Sequence, residues 1–218
     1  MKLIKLFAAL LVAGGLSACA SVETATRAAP DTAPVTSADL SALSSGWNLV
    51  DVQVNVPETL SVSEANRYYP IADIVWRGEA FGDRRKQIST LMDDAMTQGL
   101  SHLTGERGVI FSVTVHRFHS LSEKARYSVG GVHNIVYTLT VLDATTGRPL
   151  HGPITKEVEL KAYGGEQAFE AERRGETQKV RISSYLTNKM RAAFPGKAFV
   201  VTRDADENLA IVVPATAN

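Results

Sequence analysis

"VIFSVTVHRF", residues 109–118, decides the fold. Val109, Phe111, Val113 and Val115 alternate with Ile110, Ser112, Thr114 and His116, and a period of two residues means a strand with one face buried. "HNIVYTLTVLDATTG", residues 133–147, repeats that pattern through Ile135, Tyr137, Leu139 and Val141 and ends in a turn over Asp143 to Gly147. "PITKEVELKAY", residues 153–163, puts Val158, Leu160 and Ala162 inward and Glu157, Glu159 and Lys161 outward. Three consecutive alternating segments with short connections predict an antiparallel meander.

Working outward, the spacing predicts two helices. Ile88, Leu91, Met92, Ala95, Met96, Gly99, Leu100 and Leu103 recur at three and four residues after Asp83, a residue suited to cap a helix over 83–103. Ile182, Tyr185, Leu186, Met190 and Ala193 make a second stripe over 177–194, which Pro195-Gly196 ends. Before the first helix, "WNLVDVQVNVP" (47–57) alternates through Val50, Val52, Val54 and Val56 and predicts a half-buried strand. A short strand is expected at 71–76, partial helix after Gly164-Gly165, and a small closing hairpin from the apolar runs at 198–201 and 209–213. The expected fold is α+β, a two-layer sandwich in the order β-α-β-β-β-α. About four antiparallel strands carry two helices on their apolar face.

The first residues have another character. Lys2 and Lys5 precede an apolar run from Leu6 to Leu16, the pattern of a secretory signal and shorter than the about 20 residues a membrane span needs. Two cleavage readings stand beside each other. Ala18-Cys19-Ala20 has the small-x-small pattern that would release a soluble chain. Leu16-Ser17-Ala18-Cys19 resembles the lipobox of bacterial lipoproteins, and that resemblance implies cleavage before Cys19, a diacylglycerol on its thiol, and outer-membrane sorting because Ala20 is not acidic. The organisation expected is a signal peptide over 1–18, a flexible tether over 19–46 rich in Ala, Ser, Thr and Pro, and one periplasmic domain over 47–218. A coil of about 26 residues has an r.m.s. span near 30 Å, so the domain would be held close to a membrane without being pressed on it.

Composition narrows the function classes. Cys19 is the only cysteine, so the folded part has neither a disulfide nor a thiol for nucleophilic or metal chemistry. With 23 basic and 23 acidic residues the chain is neutral, and without Lys2 and Lys5 it is about two charges negative, which argues against nucleic acid as a partner. His116 and His119, the histidines nearest to ligand spacing, sit three apart on a strand and diverge to opposite faces. No G-x-S-x-G elbow occurs, and "SVGGVHN" lacks the strand-to-helix setting of an anion cradle. A non-catalytic protein with no cofactor and no metal is therefore expected, a small periplasmic hydrolase being the enzymatic alternative.

Two surfaces are candidates for partners. "YYPIADIVWRGEAFGDRRKQI", residues 68–88, spends Tyr68, Tyr69, Trp76, Arg77 and Arg84 on an aperiodic connection, and such residues dominate binding hot spots. The competing reading makes it a covering loop, Trp76 capping the core and the arginines pairing with Glu79 or Asp83. The outer sheet face is the second candidate, with Ile110, Phe118, Val136 and Leu142 expected there, open to another protein, to lipid, or to the polar segment 164–176.

The segments "VNVPETLSVSEANRYYPIADIVWRGEAFGDRR" and "TLTVLDATTGRPL", with the lipobox, resemble a family of uncharacterised alphaproteobacterial lipoproteins, which has no established activity. More distantly, the order of elements is similar to that of auxiliary lipoproteins of lipid-trafficking ABC transporters, a likeness of topology alone. The resemblance implies a lipoprotein anchored to the membrane through its N-terminal lipid, on the periplasmic face of the outer membrane, binding an envelope protein. The alternative it implies is an accessory subunit of a lipid transport system.

Overall fold

The computed structural model describes residues 37–196 and two short strands at 199–200 and 213–214. Cys19 and the signal peptide lie outside the described residues, as does the tether up to residue 36. The order of elements is α1 (Ser37–Ser44), β1 (Trp47–Asn55), β2 (Ile74–Val75), α2 (Arg84–Leu100), β3 (Arg107–His119), α3 (Glu123–Arg126), β4 (Gly131–Asp143), β5 (Pro149–Ala162), α4 (Glu166–Arg173), α5 (Gln178–Ala193), β6 (Phe199–Val200) and β7 (Val213–Pro214). The main sheet runs β1-β3-β4-β5, with β2 beside the far end of β3. Helices α2 and α5 cover one face, giving the expected α+β sandwich.

The meander β3-β4-β5 is antiparallel throughout. The first strand corrects the expectation of a wholly antiparallel sheet, because β1 lies parallel to β3 from Trp47↔Arg107 to Asn55↔Thr114, and β2 does the same at Ile74↔Phe118. The physical reason is the crossover: α2 carries the chain back before β3 begins, and parallel neighbours require such a connection. The helix itself starts where the sequence predicts. Asp83 accepts a hydrogen bond from the Lys86 amide at 3.1 Å, and Thr177 caps α5 in the same way through Val180.

Two bulges redirect side chains that alternation misplaces. A register shift between Leu49 and Asp51 leaves Val50 57 % exposed while Val52 returns to the core. A second shift, between Val115 and Arg117, turns Phe118 inward, so it belongs to the core and not to the outer face. There its ring meets Trp76 edge-on at 5.5 Å. At the opposite end of the core Trp47, Phe111 and Phe194 form an aromatic trio with centroids 5.0–6.2 Å apart.

Residues 37–44, expected within the tether, form α1, and the buried Ser44 hydroxyl accepts a hydrogen bond from the Gly196 amide at 3.1 Å. The segment 164–176 does not cover the outer sheet face. Its helix α4 packs on the β3–β4 connection instead: Phe169 stacks on Tyr127 at 4.8 Å, and Glu172 pairs with Arg126. The short strands β6 and β7 pair antiparallel at Phe199↔Pro214 and Val200↔Val213, and the rest of the expected closing hairpin lies outside the described residues. Among the described residues no helix is long and apolar enough to cross a membrane.

Candidate partner-binding surface

The aperiodic stretch between β1 and α2 is pinned by backbone and side chain at several points. Near its start, Ser61 donates from both amide and hydroxyl to the Asp73 carboxylate at 2.8 and 2.7 Å, and Ile74 donates its amide to the Ser61 carbonyl. These bonds hold the Asp73 carboxyl below its usual range. Arg85 reaches back to the Leu60 and Glu58 carbonyls at 2.6 and 3.0 Å. Ser122 and Lys124 fix residues 66–67 from the other side, through the Arg67 carbonyl and the Asn66 side chain. A loop held so often has one shape.

Its centre is Glu64. Arg84 forks onto that carboxylate through Nε and Nη2 at 2.7 and 3.1 Å and gives Nη1 to the Ala80 carbonyl, the Glu79 carbonyl and Gln87. Arg77 pairs with the same carboxylate and with Glu123. The bonds from Arg84, outweighing burial, keep the Glu64 carboxyl below the ordinary carboxylate range. Both arginines thus pair with Glu64, and neither with Glu79 or Asp83, whose carboxylates serve Lys179, Trp76 and the helix cap.

The structure separates the five residues of this stretch that sequence reasoning brought forward. Trp76 is fully buried: its indole donates to Glu79 at 3.0 Å and lies so close over Gly78 that a Cβ there would come within 2.2 Å of the ring. Arg84 is 4 % exposed and spent on the network just described. Neither can meet a partner. Arg77 is partly covered and committed to its two carboxylates. Tyr68 is exposed beneath the Lys124 ammonium, and Tyr69 is 86 % exposed.

Two residues from the same segment join them, Ile71 and Phe81, exposed at 101 % and 84 %. Their signal in the sequence is apolar bulk in a stretch without period, where no buried face is there to receive it. The contact chain Phe81–Arg84–Glu64–Arg77–Glu123, continued from Lys124 to Tyr68, ties the two ends of the segment together.

A second cluster was not legible from sequence. The Ser120 hydroxyl lies 2.8 Å from Nδ1 of His133 and donates to Oε1 of Gln178 at 2.9 Å, all three residues buried. Burial, with Arg181 adding to it, drives the His133 imidazole down to about 3, so it is neutral at ordinary pH. With Ser120 and His133 only 2 % and 0 % exposed, no substrate reaches the hydroxyl. The trio joins the end of β3 to β4 and α5 through the Ser120 hydroxyl, while Nε2 of His133 and Nε2 of Gln178 are buried without a hydrogen-bond partner among the described residues.

The model of a family of unknown function (DUF6778) matches residues 47–207. No curated protein matches the chain. Among solved structures, a "putative lipoprotein" from Caulobacter crescentus CB15 is similar at 14 % identity and TM-score 0.33, over 72 % of this chain and 96 % of that one. A protein from Xanthomonas campestris of the DUF330 family is similar at 14 % identity and TM-score 0.37, over 68 % and 85 %. A PelC dodecamer from Paraburkholderia phytofirmans is similar at 8 % identity and TM-score 0.34, over 71 % and 89 %.

Proposed function

We propose that this chain, which belongs to the DUF6778 family of unknown function, is a non-catalytic lipoprotein of the cell envelope that docks another envelope protein through the segment between β1 and α2. One observation carries the reading. Tyr69, Ile71 and Phe81 stand almost fully in solvent on a segment that ion pairs and backbone bonds hold in one shape. Bulky apolar side chains on a preorganised surface lose little freedom on binding, and that is where binding energy concentrates. The anchorage in this reading rests on the sequence, with Cys19 at the end of a lipobox as the lipid attachment. Ala20 after the cysteine directs the protein to the outer membrane, with the domain on the periplasmic side.

A photo-crosslinking residue placed at Ile71 in cells tests the docking reading. A discrete adduct is expected in the membrane fraction, and replacing Tyr69 and Phe81 by Ser should reduce its yield at least tenfold. The same crosslinker at Thr155, on the outer sheet face, should give no such species. Equal adducts from both positions, or a yield indifferent to the Tyr69 and Phe81 substitutions, would overturn it.

A further inference from the structure

Between α5 and the β4–β5 edge of the sheet lies a cavity of about 280 Å³. Its wall is largely but not wholly apolar, with Leu139, Ile154, Val158, Met190 and Phe194 among its residues. Two features set it apart from a packing defect.

The first is a lysine where the sheet pattern reserves a place for an apolar residue. Ile154, Lys156 and Val158 share the inward face of β5, and Lys156 stands opposite Tyr137, which is only 4 % exposed. The second is Lys189 on α5, one turn beyond Tyr185 and 5.2 Å from its ring centroid, lining the same cavity. Among the described residues neither lysine has a carboxylate within ion-pair distance. Glu157, which also lines the cavity, accepts a hydrogen bond from Asn134 on its carboxylate at 2.7 Å. The cavity wall also holds His151, whose Nε2 is buried without a hydrogen-bond partner.

We infer that this cavity is a binding site for a single-chain anionic amphiphile, its chain among the aliphatic side chains and its carboxylate on Lys156 and Lys189. Charge complementarity selects the head group: two cations without an ion-pair partner among the described residues, one from the sheet and one from the helix, line the chamber against one carboxylate, Glu157, which Asn134 engages. Volume selects the tail. A 150 Å³ apolar cavity takes the six carbons of benzene, so 280 Å³ accommodates about a dozen carbons, one chain and not two. The apolar part of the wall holds ordered water poorly and suits hydrocarbon.

Calorimetric titration of the purified protein with dodecanoate below its micellar concentration tests the site. Saturable one-to-one binding is expected, with dodecanol and dodecyltrimethylammonium each at least tenfold weaker. Lys156→Glu combined with Lys189→Glu should cost dodecanoate at least tenfold and leave dodecanol unchanged; both positions are peripheral, so the fold is retained. Ile154→Trp, filling the chamber, should abolish binding of both. Absence of saturation overturns the proposal, whether residues 197–218, a second copy or nothing takes the cavity. So does equal affinity for carboxylate and ammonium amphiphiles, or indifference to the lysine substitutions. The site shares no residue with Tyr69, Ile71 and Phe81, so its failure leaves the docking reading standing.

Discussion

Arg84 sits almost wholly inside the protein with its charge intact, and that position follows from bonding and not from hydropathy. Five donors in a planar fork meet Glu64, two carbonyls and Gln87, so the guanidinium leaves water without leaving hydrogen bonds behind. Truncation would strand those acceptors. Since Glu64 is about a third exposed and keeps Arg77, the cost is below that of a fully buried pair: Arg84→Ala should lower stability by about 2–3 kcal/mol in urea unfolding. Arg84→Lys should recover only part of it, because an ammonium cannot fork. An unchanged urea midpoint for Arg84→Ala would mean the network holds nothing in place. The two tyrosines, the tryptophan and the two arginines were visible as an unusual outlay in the sequence, but their partition was not. Burial of Trp76 depends on Phe118, 42 residues away and turned inward by a bulge, and no local pattern contains that.

At the scale of elements, α2 and α5 approach closely at one point. A Cβ on Gly99 would lie 2.5 Å from the Thr187 carbonyl oxygen and 2.9 Å from Cβ of Met190, and the Thr187 hydroxyl donates across the interface to the Ala95 carbonyl at 2.9 Å. Glycine inside a helix costs about 1 kcal/mol relative to alanine, so its presence marks a packing need. Gly99→Ala should therefore destabilise by about 1–3 kcal/mol despite the better helix former. A rise in the urea midpoint would show that the helices stand further apart. Elements were the most legible level: both long helices and all three meander strands fall where period and caps put them. What misled was counting in twos through an extra residue, which put Val50 inside and Phe118 outside. The direction of β1 was equally silent, since alternation reads the same in parallel and antiparallel pairs.

At the scale of the whole molecule, a proposed lipid attachment near the N-terminus stands beside a domain with two proposed binding surfaces. The Ser120–His133–Gln178 cluster is built from residues up to 58 positions apart, and the core from residues further apart still, beyond the reach of motif reading. Lys156 illustrates the same limit: its inward position is implied by Val158 and Leu160, yet its meaning depends on α5 leaving a chamber beside it. The attachment end is the reverse case, legible only as sequence, in the run from Leu6 to Cys19. Everything proposed about location rests there. Mass spectrometry of the mature N-terminus, taken from membranes of the native host, is the direct measurement. The account predicts a chain beginning at Cys19 and carrying a diacylglycerol on its sulfur; a chain beginning at Ser21 without fatty acid would contradict it.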